Sequence, residues 1–222
     1  NMAIKFLFKS IRDDHRMKSL EKQTSEAELA YLKHQINPHF FMNTLNNIHA
    51  LVSIDPAKAE ETIEVLSKLM RYVLYDGDKP LAPLEKETQF LNNYVELMRI
   101  RYASRVRIDL NLPEVTTKKM VPPLIFVTFV ENAFKHGIAA TGKSFIKISI
   151  NADNSHIECD IENSNHPKEQ SDRSGHGIGL EQVARRLELS YNGKYTWENG
   201  TRDNNSIYYS KIIIYDTKLR NN

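Results

Sequence analysis

Cysteine is nearly absent from this chain, with one among 222 residues, and glycine occurs only eight times. The single cysteine, Cys159, excludes an internal disulfide, and we expect a reducing compartment. It stands in an alternating apolar run with Ile157 and Ile161, which predicts a buried strand residue and not a reactive thiol. Apolar runs of 18 or more residues are also absent, so no segment of the sequence is predicted to span a membrane as a helix.

Charge of one sign is not in excess either. The 30 lysines and arginines nearly balance 28 acidic residues, for a formal net charge of +2. No basic run alternates with aromatic residues as a single-strand nucleic-acid binder requires, so nucleic acid is excluded as a partner. The 41% hydrophobic and 26% charged residues are a globular composition, sufficient for one large domain or two small ones.

The first 24 residues are predicted to be a juxtamembrane or linker segment. An apolar cluster, Ile4, Phe6, Leu7, Phe8 and Ile11, lies among the cations Lys5, Lys9, Arg12, Arg16 and Lys18. Two interpretations remain open. The segment is an amphipathic helix that packs on its own protein, or it is the flank just inside a membrane under the positive-inside rule. Under the second, an upstream membrane or sensor region precedes Asn1.

Residues 25–77 carry a helical period and contain no glycine before Gly77. One apolar seam consists of Phe41, Leu45, Ile48 and Val52, and a second, at heptad spacing, of Ile63, Leu66, Met70 and Val73. Asp55 and Pro56 give a cap and a first-turn proline between them. We predict two antiparallel helices, a helical hairpin, that bury their seams in a four-helix bundle of a homodimer.

The period changes beyond the turn at Asp76 and Gly77. The predicted elements are a helix from about Pro83 to Arg101, a strand over Val106 to Leu112, a helix from Pro122 to Lys135, strands around Ile146 to Ile150 and Ile157 to Ile161, an amphipathic helix over Glu181 to Tyr191, and strands over Tyr195 to Glu198 and Ile207 to Tyr215. Gly137 stands where a left-handed C-cap is expected. Helices and antiparallel strands in this order predict an α+β fold, a two-layer α/β sandwich.

Four polar residues share the end of the helix predicted from Pro122: Glu131, Asn132, Lys135 and His136. Glu131 and Lys135, and Asn132 and His136, are spaced i, i+4, so each pair shares a side of the helix. Such groups suit a magnesium triphosphate, because an oxygen ligand meets the metal and cations meet phosphate. A solvated helix face is the alternative.

A glycine cluster, Gly175, Gly177 and Gly179, precedes the amphipathic stretch that begins at Glu181. It could bend around phosphate and present a helix N-terminus to it, although the pattern alone is also typical of ordinary turns. Asn163 is inward-facing by alternation and could read an adenine edge. Its other interpretation is a turn residue that ends a strand.

His39 follows a proline inside the first predicted helix. Pro38 removes a backbone N–H and clashes with the carbonyl of His34, so we expect a kink one turn before His39. On a helical wheel His39 lies about 60° from Ile36, at the rim of the seam, which leaves one imidazole nitrogen open. His34, His39 and His49 lack the i, i+4 spacing of a helical metal site.

Three runs of this sequence resemble a known family. LKHQINPHFFMNTLNNI, which contains His39, resembles the H-box of LytS/YehU-type sensor histidine kinases. VPPLIFVTFVENAFKHGI and GHGIGLEQVARRLELSY resemble the N-box and G-box of the GHKL ATP-binding superfamily, and Tyr94 with Arg101 and Tyr102 resembles another family segment. The runs cover most of residues 29–191 in the family's order.

The resemblance implies three regions: residues 1–24 as linker, 25–77 as dimerisation and histidine phosphotransfer hairpin, and 78–222 as ATP-binding catalytic domain. It implies that His39 is the phosphoacceptor and that Asn132 is the magnesium ligand. The other nucleotide-binding residues would be Lys135, His136, Asn163, Gly175, Gly177, Gly179 and Leu180, beneath a lid over residues 165–174. Glu131 is the candidate to orient or deprotonate His39.

Two parts of the sequence depart from the family pattern. Asn163 stands where an aspartate usually accepts the adenine amino group, and Asn165 where a glycine is common. An amide oxygen accepts the same hydrogen bond without a charge, so lower affinity is expected. Val127 and Thr128 replace a Gln-Pro pair, and Thr128 offers no carboxylate to activate water.

The expected function is a dimeric ATP- and Mg²⁺-dependent histidine autokinase in the cytoplasmic portion of a bacterial inner-membrane protein. It would pass its phosphoryl group to an aspartate of a response regulator, often of LytTR type in this family. Positioning and charge neutralisation dominate phosphoryl transfer, so strong base catalysis is not essential. The alternatives are an ATP-binding module that signals by conformation and a GHKL ATPase.

Overall fold

The computed structural model describes residues 38–77, 79–102, 105–112, 119–139, 142–166 and 178–215. The chain divides into two compact units, Asn1–Leu45 and Asn46–Asn222. Predictions for residues 1–37, including the kink before His39, lie outside the described residues, and the three-region organisation stays a prediction. None of the described helices is both long and apolar enough to cross a membrane.

Two helices open the described chain, α1 over Pro38–Ile54 and α2 over Pro56–Tyr75. The predicted boundary between them is confirmed, because the Asp55 carboxylate accepts a hydrogen bond from the Lys58 N–H at 3.0 Å and Pro56 begins α2. Ala59, Thr62, Leu69 and Tyr72 are the buried residues of α2. The heptad seam lies on another side, and its Ile63 is 49% exposed. The antiparallel pairing and the four-helix bundle stay predictions.

The third helix, α3, spans Leu84–Tyr102, close to the predicted bounds. Acidic residues occupy its first turn and basic residues its last, as the helix dipole favours. It packs against α2, and the rings of Tyr72 and Phe90 are 4.9 Å apart. At the end of α2, Asp76 forms ion pairs with Lys79 and Lys86. The Lys79 hydrogen bond is the main reason that the pKa of Asp76 is lowered.

Five strands form the main sheet: β2 over Val106–Asn111, β4 over Ser144–Ala152, β5 over Ile157–Ser164, β6 over Tyr195–Arg202 and β7 over Ile207–Ile214. Their order across the sheet is β2-β4-β5-β7-β6. The prediction of antiparallel strands is wrong for one pair, because β2 and β4 are parallel. Helix α4, Ile125–His136, lies between them in the chain, and parallel neighbours require such a crossover.

A small second sheet was not predicted from the sequence. It pairs β1, Ala82–Pro83, with β3, Met120–Val121, in antiparallel register. Two residues are too few to show an alternating period. The backbone N–H of Leu84 donates to the carbonyl of Lys119 at 2.9 Å, which continues this pairing into the start of α3.

The core lies between the sheet and the helices. On the sheet, Ile146, Ile148 and Ile150 of β4 are fully buried, while Lys147 between them is exposed. Cys159 is buried on β5, as predicted, and its burial raises the pKa of the thiol far above its usual value. Helix α4 lies against β5 and also contacts α5, Ile178–Tyr191. The predicted two-layer α/β arrangement is therefore confirmed.

Candidate functional site

A buried carboxylate fixes the start of α4. The prediction that Pro122 opens this helix is wrong, because Leu124 adopts a left-handed conformation with φ of 62° and α4 begins at Ile125. Glu87 of α3 accepts hydrogen bonds from the backbone N–H of Leu124 at 2.9 Å and of Phe126 at 3.4 Å. It satisfies N-terminal donors that have no intrahelical partner, at the end of the dipole that favours an anion.

Glu87 also accepts a hydrogen bond from the Tyr72 hydroxyl at 2.6 Å, and its side chain is fully buried. Sequence reasoning missed it. The available signal was its spacing, since Glu87 lies three residues after Leu84 and four before Leu91, both buried on the same side of α3. A charged residue at a buried helical position requires partners, and here they come from two other helices.

The predicted polar stripe occupies the exposed side of α4. Glu131, Asn132 and His136 are half-buried and Lys135 is exposed, whereas Val130, Ala133 and Phe134 are buried. Among the described residues, the side chains of Asn132 and Lys135 form no hydrogen bond or ion pair. Glu131 and Lys135 thus do not form the ion pair that their spacing permits. The amide and ammonium groups are not used to hold the described fold together.

Burial raises the pKa of Glu131 to about 7. The pKa of the Tyr94 hydroxyl on α3 is raised mainly by burial, and the negative charge of Glu131 raises it further. Tyr94 contacts Phe134 of α4 edge-on, with ring centroids 6.2 Å apart, and Tyr102 stacks on the same ring at 5.9 Å. The family-like residues Tyr94 and Tyr102 therefore hold α4 against α3, and Glu131 is the titratable carboxyl at this junction.

Gly137 brings the end of α4 onto β5. The prediction of a left-handed C-cap is wrong, since its φ is −87°. Glycine is required for a different reason: a Cβ at this position would lie 2.5 Å from the Ala133 carbonyl oxygen and 2.7 Å from the Asn163 Cβ. The absence of a side chain permits this close approach, which places Asn163 beside the polar end of α4.

Gly137→Ala tests this approach. The new Cβ meets a backbone oxygen and a buried side chain, so we expect a loss of about 1–3 kcal/mol in the free energy of unfolding and a measurable displacement of Asn163. Thermal unfolding and the side-chain amide resonances of Asn163 in NMR spectra would report these changes. Gly200→Ala is the matched control, because its Cβ would approach only the Tyr209 side chain, at 3.3 Å. Equal stability of the two variants would contradict the account.

Asn163 retains one buried acceptor. The residue is 1% exposed, as its predicted inward position requires, and its Nδ2 donates to the Ser164 carbonyl at 2.8 Å. Its Oδ1 accepts no hydrogen bond from any residue that the structure describes. Buried polar atoms are nearly always paired, so this oxygen is suited to a donor outside the described chain.

The first residues of the predicted lid are held in place. The Asn165 N–H donates to the Ser206 carbonyl at 2.7 Å, and its Nδ2 to the Asn205 carbonyl at 2.9 Å. The Nε2 of His166 lies 3.3 Å from the Ser144 Oγ, which accepts the Ala139 N–H at 3.0 Å. The Asn165 bonds link the end of β5 to the β6–β7 turn, and the contacts of Ser144 link the segments after α4 and β5 to the start of β4. The rest of the lid, residues 167–174, lies outside the described residues.

The glycine cluster is only partly described. Helix α5 begins at Ile178, so Gly179 and Leu180 lie in its first turn and not in the preceding loop. N–H groups of a first turn have no intrahelical partner, so both positions stay compatible with a phosphate contact. Gly175 and Gly177 lie outside the described residues. His39 is the second residue of α1. No group of three or more potential metal-ligating residues occurs in the described segments.

This chain is similar in sequence to known sensor histidine kinases. The histidine kinase family model matches residues 27–106. The chain is 31% identical to the sensor protein LytS of Staphylococcus saprophyticus over 175 residues, 73% of this chain and 30% of that protein. It is 28% identical to LytS of Oceanobacillus iheyensis over 182 residues, 76% of this chain and 31% of that protein.

The chain belongs to the LytS-type sensor histidine kinase family. It is also 29% identical to the sensor histidine kinase YpdA of Escherichia coli over 185 residues, 79% of this chain and 33% of that protein. The chain thus spans about a third of the length of the curated relatives that it matches. Among solved structures, it resembles the histidine kinase domain of the Erythrobacter litoralis blue-light activated kinase, with 15% identity, a TM-score of 0.46, and 86% and 95% of the two chains covered.

Membership of this histidine kinase family implies ATP binding. The residues present fit such a ligand, because Asn163 retains a buried acceptor for a base and the amide and ammonium groups of Asn132 and Lys135 are not engaged by the described fold. Gly137 brings these two sets of groups to the same end of α4. The alternative for Asn163, a turn residue that ends a strand, does not account for its buried Oδ1, which accepts no hydrogen bond from a described residue.

Proposed function

We propose that this chain is the catalytic core of a sensor histidine kinase that transfers the γ-phosphoryl group of ATP to its own His39. The proposal is supported chiefly by the presence of two features in one chain. One is the H-box around His39, and the other is the polar end of α4 beside the buried Oδ1 of Asn163. A phosphoacceptor and a nucleotide site thus occur in one chain.

Each polar group has a proposed role. The Asn163 Oδ1 accepts from the adenine amino group, and the Asn132 amide oxygen is a ligand of Mg²⁺, a cation that prefers oxygen. Lys135 and His136 contact phosphate oxygens, as cationic and N–H donor groups do. Gly175, Gly177, Gly179 and Leu180 line the phosphate side, and residues 165–174 form the lid. Mg²⁺ neutralises phosphate charge when it is bound.

The transfer requires little covalent chemistry from the protein. A lone pair on one imidazole nitrogen of His39 forms the P–N bond while the bond from the γ-phosphorus to the bridging oxygen of ADP breaks. The other nitrogen carries a proton that must be oriented or removed. Glu131, whose pKa is about 7, is poised near neutral pH for that task.

The partners of the kinase follow from the same proposal. A response regulator, of LytTR type, receives the phosphoryl group on an aspartate. The chain forms the cytoplasmic part of a longer membrane-anchored sensor in the bacterial inner membrane, which the basic flank at residues 5–18 and the relatives' greater length support. A homodimer is supported by the exposed apolar residues of the heptad seam on α2.

Ile63→Asp tests the dimer. Ile63 is 49% exposed although it belongs to the heptad seam, and a carboxylate there would be desolvated by a partner helix. We expect the dimer dissociation constant to rise at least about 100-fold, measured by analytical ultracentrifugation. Leu189→Asp on α5 is the matched control, since Leu189 is 77% exposed and lies outside the seam. The seam is refuted as the dimer interface if Ile63→Asp leaves the sedimentation of a wild-type dimer unchanged, and the dimer itself is refuted if the wild type sediments as a monomer.

Labelled ATP and Mg²⁺ test the kinase proposal itself. The wild-type chain is expected to acquire an acid-labile, alkali-stable label, and His39→Ala to acquire none while it still binds ATP. His49→Ala is the control, because His49 is an exposed histidine of the same helix, α1. Steady phosphate release that His39→Ala does not alter would instead support the ATPase alternative.

A further inference from the structure

Tyr72, Glu87 and the first turn of α4 form one buried hydrogen-bonded group. The Tyr72 hydroxyl and the Leu124 N–H both donate to the same oxygen of Glu87, Oε2, at 2.6 Å and 2.9 Å. The Phe126 N–H donates to its Oε1 at 3.4 Å. Donors from α2 and from the start of α4 therefore converge on a carboxylate of α3 that has no exposed surface.

These bonds make the positions of α2 and α4 depend on one another. A hydrogen bond to a charged group stabilises more than one between neutral groups, and a buried carboxylate that loses a donor is left under-satisfied. Loss of the Tyr72 bond redistributes the hydrogen bonds that Glu87 accepts, and those from Leu124 and Phe126 change with it. Leu124 is already in a left-handed conformation, so the helix start that Glu87 holds is not one that the local sequence favours by itself.

The C-terminal end of α2 packs against α3 and forms an ion pair with it. The Tyr72 ring lies 4.9 Å from that of Phe90, and Asp76, at the end of the same helix, is paired with Lys86 of α3. At its other end α2 follows α1, the helix of His39, after the single residue Asp55. Tyr72 is thus linked, through Glu87, to the start of α4.

We propose that Tyr72 and Glu87 are positioning residues that set the place of α4 for nucleotide binding. Asn132 lies eight residues after Leu124, about 12 Å along the helix, so a tilt at its start displaces the polar end. A movement of α2 that lengthens the bond between Tyr72 and Glu87 therefore weakens ATP binding. The inference rests on the proposed function, since it concerns the same nucleotide site.

Tyr72→Phe removes the hydroxyl and keeps the ring that packs on Phe90. In calorimetry, we expect the dissociation constant for Mg-ATP to rise about 5- to 20-fold, the equivalent of one hydrogen bond. The labelling rate at saturating ATP should stay within about twofold, and amide exchange at Leu124 and Phe126 should accelerate. Tyr75→Phe is the matched control, because Tyr75 lies on the same helix with its side chain 70% exposed, and none of these quantities should change.

Glu87→Gln tests whether the hydroxyl acts through the carboxylate. In a Glu87→Gln background, Tyr72→Phe should raise the dissociation constant by less than about twofold. The inference is overturned if Tyr72→Phe binds Mg-ATP as the wild type does, even if the variant unfolds at a lower temperature. If Glu87→Gln does not fold, the affinity of the Tyr72→Phe single variant for Mg-ATP decides the question. Failure of the proposed function would show in the wild type, as an absence of ATP binding and label, and not in the difference between variants.

Discussion

Asn132→Ala is expected to lower the affinity for Mg-ATP at least about 100-fold while it leaves the fold intact. Asn132 is half-buried on the polar side of α4, and its amide forms no hydrogen bond within the described chain. Removing it leaves no group unpaired, and alanine is a better helix former than asparagine, so stability should change by less than about 0.5 kcal/mol. Calorimetry with ATP in the presence and absence of Mg²⁺ would measure the effect.

Asn92→Ala is the matched control for this prediction. Asn92 is an exposed asparagine on α3, so it makes the same change of side chain on a helix away from the proposed site. The control should bind Mg-ATP as the wild type does. If Asn132→Ala binds Mg-ATP as tightly as the wild type and its affinity still depends on Mg²⁺ as the wild type's does, Asn132 is not the metal ligand.

Glu131→Gln is expected to slow the proposed phosphorylation of His39 above pH 7 and to stabilise the fold there. Burial raises the pKa of Glu131 from 4.5 to about 7, so the wild-type carboxyl is protonated below that pH and ionised above it. Only the ionised form can accept a proton from His39, so the wild-type labelling rate should rise through pH 7 and then level off. The glutamine variant should be slower above pH 7 and show a smaller rise, because only the loss of the imidazolium proton of His39 still contributes to it.

Stability should change in the opposite direction. Because the pKa of Glu131 is higher in the folded state than in the unfolded chain, folding is favoured by the proton. The wild type therefore loses stability as the pH rises from 4.5 through about 7, by up to about 3 kcal/mol at ~1.4 kcal/mol for each pKa unit. Glutamine cannot ionise, so Glu131→Gln should keep this stability at pH 8.

Denaturant unfolding and labelling rates at pH 6 and pH 8 would check both effects of Glu131→Gln. Glu60→Gln is the control, because Glu60 is an exposed carboxylate on α2 and should alter neither profile. A wild-type labelling rate that is flat from pH 6 to pH 8, with stability unchanged by Glu131→Gln, would contradict the assignment.

Local signals predicted most of the elements. The alternation around Ile148 and around Cys159 identified β4 and β5, and the Asp55-Pro56 pair located the start of α2. These features depend on residues that are close in sequence, where period and capping act directly. The inward position of Asn163 followed from the same alternation and is confirmed.

Long-range contacts explain what the sequence could not show. The start of α4 depends on Glu87, 37 residues before Leu124, so a proline rule alone placed it too early. Position 137 requires glycine because the Asn163 side chain, which is distant in sequence, leaves no room for a Cβ. The C-cap rule, which considers only nearby residues, did not predict this reason. The parallel pairing of β2 with β4 likewise depends on a crossover, which strand alternation does not report.

Mass spectrometry of the protein after incubation with Mg-ATP, under alkaline conditions that preserve phosphohistidine, identifies the residue that accepts the phosphoryl group. We expect a single phosphoryl group on the peptide that contains His39, assigned to that residue by fragmentation. A phosphoryl group on another residue, or consumption of ATP with none on the protein, would contradict the proposed transfer to His39.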